Sequence, residues 1–204
     1  MAMSTATSNS KKSERTRDAL LQEGIRQLSA HGYHGTGIKQ VLDAVKVPKG
    51  SFYNYFDSKE AYVAAIIVEY NREALVTFDQ FVAKSKAPAI DLLKHIYLYM
   101  LGKFAENQCQ QGCLVGSIAA EVGNTYELCQ RAMQIGVADW QTRLSRLLAQ
   151  AQEEGSIRKD LPATDLAELL WSAWEGGLIK MKPDGNTDSA QRVILLMLDK
   201  LLAA

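Results

Sequence analysis

Residues 32–59, GYHGTGIKQVLDAVKVPKGSFYNYFDSK, decide how the chain is read. They follow a stretch from Ser13 to about His31 in which Leu21, Ile25 and Leu28 recur at helical spacing, with Ala19 and Gly24 as small companions. Glycine takes the left-handed cap conformation without strain, so Gly32 is expected to stop that helix. Thr36 suits the N-cap of a second helix, its hydroxyl accepting from an orphan backbone N–H. Ile38, Val41, Leu42 and Val45 give that helix one apolar face. Lys46, Val47 and Pro48 make a turn. Pro48 has no N–H to lose at a helix start and its φ is preset, so it leads into a third helix from about Lys49 to Tyr55. Phe52 and Phe56, four apart, face inward with Val47, which leaves Lys49, Ser51, Tyr53, Asn54 and Tyr55 on or near the outside. Asp57 or Ser58 caps a fourth helix.

That exposed set is what a helix laid in a DNA groove requires. Lys, Tyr, Ser and backbone N–H groups hold phosphates and fix register. Short polar side chains and lysine read base edges. Gly50 lets a DNA backbone or base edge come close. The start of the fourth helix offers free N–H groups beside Lys59, which together suit a phosphate. A helical hairpin with ordinary surface residues would show the same geometry, and charge separates the two readings. Residues 11–59 carry nine Lys/Arg and five Asp/Glu, net +4, whereas residues 60–204 carry fourteen and eighteen, net −4. The zero net charge hides a basic head on an acidic body, and a basic head is the footprint of a phosphate-binding surface.

The segment resembles the N-terminal domain of the TetR family of bacterial transcriptional regulators. The resemblance is carried over about 50 residues by Gly32-Tyr33, Thr36, the apolar helix Ile38 to Val45, Val47, Lys49-Gly50-Ser51-Phe52-Tyr53, Phe56 and Lys59-Glu60. It implies that Thr36, Lys49, Ser51, Tyr53, Tyr55 and Lys59 fall where the family contacts DNA. Many members have Ala-Gly-Val-Ser where this chain has Val45-Lys46-Val47-Pro48, so a Ser cap is lost and Lys46 is placed to add a phosphate contact.

A chain of 204 residues with 47% hydrophobic residues is long enough for a basic head and a larger body. The expected division is a disordered tail over 1–10, a helix-turn-helix domain over 11–58, and an effector-binding and dimerisation domain over 59–204. The longest apolar run, Ala61 to Val68, is far short of the roughly 20 residues that span a bilayer, and the first ten residues lack the apolar core of a signal peptide. A cytoplasmic protein without membrane contact is expected. Cys109, Cys113 and Cys129 make an odd number without a C-x-x-C pair, and His31, His34 and His95 give no zinc spacing, so neither metal nor cofactor is expected. No phosphate-binding loop, dinucleotide fingerprint or nucleophile elbow is present, and no constellation argues for an enzyme.

The rest reads as helices, giving an all-α fold of about nine. Ala61, Ala64, Ala65, Val68, Leu75, Phe78 and Val82 supply the stripe of helix four. Pro88 opens helix five, Gly112 precedes a short helix six, and helix seven runs from about Asn124 to Glu154. Pro162 lies near the start of helix eight and Asp188 near that of helix nine. Residues 193–198, VILLML, cannot all face one core on a helix of 3.6 residues per turn. With the broad stripe of helix eight and Gly176-Gly177, they suggest a four-helix seam between two copies, as the resemblance also implies. A fully buried terminal helix in a monomer is the alternative. A homodimer would place two heads on the half-sites of palindromic double-stranded DNA.

Tyr97, Met100, Phe104, Met133, Trp140, Trp171 and Trp174 are candidates to line an apolar effector cavity, although aromatics at helical spacing are more often core. Cys113 stands at a candidate helix N-terminus, where the helix dipole can lower a thiol pKa. Residues 112–122, GCLVGSIAAEV, resemble the corresponding segment of an electrophile-responsive branch of the same family, whose members repress genes for detoxifying reductases. The resemblance implies that Cys113 is the sensor and that a lysine late in helix eight, Lys180 or preferably Lys182, takes part. Covalent sensing, non-covalent ligand binding and the absence of an effector remain open on the residues. Two further classes stay in view: a helical ligand carrier or enzyme whose basic head docks a protein, and an effector-independent DNA binder of the same fold.

Overall fold

The computed structural model describes the backbone of residues 3–204 and the side chains of residues 11–204. Where a disordered tail is expected over residues 1–10, the backbone is helical from Met3 and forms the first turns of α1; Met1 and Ala2 and the side chains of residues 3–10 fall outside the described residues. Nine α-helices follow one another among the described residues: α1 Met3–Gly35, α2 Ile38–Val45, α3 Lys49–Phe52, α4 Lys59–Lys84, α5 Ala89–Glu106, α6 Leu114–Val122, α7 Glu127–Glu153, α8 Ala163–Asp184 and α9 Asp188–Leu196. A π-helical turn, Met197–Leu201, extends α9. The only extended pairing among the described residues is one isolated antiparallel bridge, Ile157 with Ala203.

Gly32 breaks α1 as expected, with φ 71° and ψ −173°. Ser58 caps α4, its side chain accepting from the Ala61 N–H at 3.0 Å. Pro88 and Pro162 stand immediately before α5 and α8. The head core is Leu20, Leu21, Leu28, Val41, Leu42, Phe52 and Phe56, all buried. The Tyr62 hydroxyl closes it from α4 by donating to the Leu20 carbonyl at 2.6 Å.

The buried face of α4 differs from the expected one. Tyr62, Val63, Ile66, Ile67, Asn71, Leu75 and Phe78 point inward, while Val68 and Val82 are exposed and Ala61, Ala64 and Ala65 are only half-buried. The run AYVAAIIV offers two apolar stripes, and the bulkier one is buried because it removes more area from water. Helix α7 begins three residues later than expected, since Gly123, at φ 48°, and a turn from Val122 to Thr125 intervene. It packs along α4 and α8, so α4 belongs to both head and body.

Candidate nucleic-acid interface and effector cavity

The turn before α3 is built by Lys46, whose left-handed backbone (φ 56°, ψ 41°) reverses the chain after α2. Ser51 then donates its N–H to the Pro48 carbonyl at 2.9 Å, which starts α3. Burial of Phe52 and Phe56 turns the opposite side outward: Lys46, Lys49, Gly50 and Asn54 are exposed, and Tyr53 is 61% exposed. Ser51 and Tyr55 are half-buried at its edge. A Cβ on Gly50 would meet nothing within 4 Å, so its bare backbone opens only towards something outside the protein. Lys39 on α2 is held by Asp43 at 2.5 Å, whereas Lys46 and Lys49 form no ion pair among the described residues.

Two expected contact residues sit elsewhere. Thr36 does not cap α2; the N-cap is Gly37, whose N–H donates to Gln40 Oε1 at 3.0 Å. Thr36 is only 3% exposed, and its hydroxyl has no partner. Lys59 is half-buried and turned inward. Its Nζ donates to the Tyr33 carbonyl at 2.8 Å and lies 4.4 Å from the centre of the Tyr33 ring. Burial pulls its pKa below the ordinary lysine value, against the opposing pull of Glu121.

These contacts belong to a junction that periodicity does not reveal. Glu121, near the end of α6, accepts the N–H of Tyr33 at 3.0 Å and of His34 at 2.8 Å. Glu60 accepts the Leu128 N–H at 2.7 Å, at the start of α7, and Gln22 donates to Glu73 at 2.6 Å between α1 and α4. Each partner lies 51 or more residues away, beyond any local signal.

In the body, α4, α5, α7 and α8 enclose a cavity of about 380 Å³. The structure brings Tyr97, Met100, Phe104, Trp140, Trp171, Trp174 and Cys113 to its wall, and places Met133 in the core outside it. Tyr97 and Trp174 pack at a tilt with ring centres 5.0 Å apart, and Trp140 and Trp171 likewise at 6.0 Å. Tyr70, Asn71 and Glu175 also line it and were not expected. A signal for two of them exists: Asn71 stands four residues before Leu75, and Glu175 four after Trp171, both within otherwise apolar stripes.

Both halves of the chain match known families. Residues 20–66 match the model of the bacterial regulatory proteins of the tetR family, and residues 89–197 match that of the tetracyclin repressor-like C-terminal domain. The chain belongs to the TetR family. It is 27% identical over 186 residues to the transcriptional repressor DhaR of Mycobacterium sp. strain GP1, covering 91% of this chain and 92% of that one. It is 34% identical over 172 residues to the transcriptional regulator AcuR of Cereibacter sphaeroides, covering 83% and 78%. The crystal structure of the reduced form of Escherichia coli NemR superposes with a TM-score of 0.84 at 26% identity, covering 93% of this chain and 97% of that one. The chain is thus a DNA-binding transcriptional regulator of this family.

In this TetR-family chain Cys113 is the N-cap of α6, but its thiol is not activated there. Burial, followed by the charge of Glu175, drives its pKa up, and the Val115 and Gly116 N–H groups pull the other way with less effect. That reverses the lowering expected from the helix terminus. Cys113 shares this buried corner with Glu175 and Tyr70 through hydrogen bonds. Lys182 is exposed and off the cavity wall; its Cδ passes 3.9 Å from where a Gly112 Cβ would stand. Cys109 and Cys129 are also buried and reduced, and burial raises the latter to about 11.

The outer face of α8 exposes Leu169, Gly176 and Ile179, the last at 72%, and α9 with its π turn exposes Leu196 and Leu201. The adjacent glycine acts within one chain. A Cβ on Gly177 would come within 3.0 Å of Ala190 Cα, so it sets how closely α8 and α9 approach each other. No helix among the described residues is long and apolar enough to cross a membrane.

Proposed function

We propose that the protein is a homodimeric repressor that binds a palindromic operator through the α3 face and is released when a small molecule occupies the body cavity. Contact residues on DNA are Lys46, Lys49, Gly50, Ser51, Tyr53 and Asn54, with Tyr55 at the edge. Lys59 holds the last turn of α1 and Thr36 is buried beside it, so neither meets DNA. The exposed stripe on α8 and α9 is the dimer seam, since one head reads too few base pairs to find a site alone.

The observation that carries this reading is the path of α6. Its first turn, with Cys113 and Val115, stands at the cavity wall, and its far end grips the head through Glu121. A ligand that shifts α6 therefore changes how the two heads are held. A hundredfold loss of operator affinity needs a coupling of only about 2.7 kcal/mol. The test is binding of a palindromic fragment from the regulator's own promoter region at several salt concentrations. Tyr53→Ala combined with Lys49→Ala is expected to weaken binding at least tenfold and flatten the salt dependence; unchanged binding overturns the assigned face.

Cys113 in the cavity wall supports a second reading, release by a reactive electrophile. On this reading the cavity binds the electrophile beside Cys113, and Glu175, hydrogen-bonded to the thiol, takes its proton as the sulfur adds. If Cys113→Ser responds to electrophiles as the native protein does, covalent sensing is wrong.

A further inference from the structure

A carboxyl group buried in a protein is ordinarily paired with a cation or surrounded by donors, because desolvating it uncompensated is costly. Glu175 departs from this rule. Its Oε1 is buried and has no hydrogen-bond partner, and no Lys, Arg or His among the described residues pairs with it. The fold nevertheless keeps a slot for it: a Cβ on Gly116 would come within 2.6 Å of Oε2, so α6 is bare where the carboxyl lies. The groups around it are Cys113, Tyr70 and Tyr97, none of them cationic.

The rest of the wall has the same sign. Glu73 is a second acid on the lining, and Lys103, the one base on it, is held at 3.0 Å by both oxygens of Glu106. The indoles of Trp140, Trp171 and Trp174 line the same wall, Trp171 one turn before Glu175 on α8, and ring faces attract positive charge, most strongly when water is excluded. The Asn71 amide nitrogen, also on the wall, lacks a partner and asks for an acceptor atom.

We infer that the cavity takes an organic cation, its charged nitrogen against Glu175 and its apolar or aromatic body among the three tryptophans. This rests on the reading of the cavity as the effector site and adds the chemical class of the effector. An anion would meet two carboxyls, and a cation alone gives the buried Glu175 carboxyl an ionic partner. The volume of about 380 Å³ suits a molecule with one or two rings.

All three tryptophans of the chain line the cavity, so intrinsic emission reports its occupancy directly. The probes are choline phenyl ether and its uncharged carbon isostere, 3,3-dimethylbutyl phenyl ether, titrated into the full-length protein at pH 7.5. The cation is expected to bind at least tenfold more tightly than the isostere, and Glu175→Gln is expected to erase that preference while leaving the isostere's affinity unchanged. Equal or tighter binding of the isostere by the native protein overturns the inference without needing any variant, and leaves the cavity as a site for neutral ligands. A preference that survives Glu175→Gln overturns the role of Glu175. If neither probe alters the emission, the effector-site reading falls along with the inference.

Discussion

The Glu121 carboxylate accepts the backbone N–H of Tyr33 at 3.0 Å across 88 residues of chain, and this contact ties the C-terminal body of the molecule to its N-terminal head. The same carboxylate takes the His34 N–H, and Lys59 holds the Tyr33 carbonyl from the other side. The last turn of α1, beyond the break at Gly32, is thus gripped at donor and acceptor by residues of α6 and α4. Hydrogen bonds to a charged group contribute about 1.5–3 kcal/mol when sheltered, less here because Glu121 is exposed. Glu121→Ala is expected to speed hydrogen exchange at the Tyr33 and His34 amides about tenfold while leaving α7 protected. Exchange mass spectrometry resolves the two regions, and equal protection in the variant removes the grip from the coupling path.

Gly32 permits that grip in two ways. Its φ of 71° is a conformation that side chains rarely adopt, and a Cβ there would collide with the Glu121 carboxylate. Gly32→Ala should therefore cost more than the roughly 1–2 kcal/mol of left-handed strain alone. In a Glu121→Ala background the collision is gone and only the strain remains. A double-mutant cycle by urea unfolding is expected to give a coupling energy of about 0.5–3 kcal/mol, as for residues in contact. Additive effects would mean that the carboxylate simply swings aside.

These two residues also show where sequence reasoning stops. Gly32 was legible as a helix breaker because its signal is local, and so were a cap at Asp57 or Ser58, which the structure gives to Ser58, and Phe52 with Phe56 as the inner face of α3. Glu121 was not, since nothing in GCLVGSIAAEV tells an acid facing solvent from one facing backbone donors 88 residues earlier. Thr36 misled for a related reason: a threonine beside a helix start is ordinarily a cap, but tertiary packing buried it and passed the role to Gly37. On α4 an unbroken apolar run left the buried stripe undetermined. In the cavity, the aromatics were visible in sequence, yet the polar groups that give it chemical character, Asn71 and Glu175, looked like interruptions of a core.

Glu175 should make stability depend on pH in a definite direction. Burial raises its carboxyl pKa above the ordinary 4.5, with the Cys113 hydrogen bond pulling down less strongly. The folded state then favours the protonated acid, so the stability it confers is fully present below about pH 4.5 and is lost as pH rises through the folded value. Glu175→Gln keeps the neutral form at every pH. Its thermal unfolding midpoint is expected to match that of the native protein near pH 4.5 and to exceed it at pH 8, by an amount corresponding to about 1–3 kcal/mol. A variant less stable than the native protein at pH 8 would show that Glu175 is compensated in the fold.

The three cysteines offer a test of the sheltered thiol. Cys109, Cys113 and Cys129 are all buried, and burial raises the pKa of each. The thiolate is the nucleophile, so alkylation by iodoacetamide at pH 7.5 is expected to run at least tenfold slower than in guanidinium-unfolded protein at all three positions. Peptide mass spectrometry follows each site separately. Rapid labelling confined to Cys113 would show that the α6 terminus overcomes burial after all.

Ile179 is the most direct probe of the seam. Its side chain is 72% exposed on the outer face of α8, one turn from Gly176, whose own position is open to at least 4 Å. Leu169 continues the same face, and Leu196 and Leu201 extend it onto the neighbouring element. An apolar face of this kind on a monomer loses nothing in its own fold when one member becomes charged, whereas burying that charge against its symmetry mate would cost several kcal/mol on each side. Ile179→Asp is therefore expected to leave the far-ultraviolet circular dichroism spectrum unchanged, while sedimentation shifts from dimer to monomer mass and the thermal midpoint loses its dependence on protein concentration. Operator binding should fall at least a hundredfold, because the two heads no longer add their contacts. A variant that still sediments as a dimer would place the seam on another face of the body.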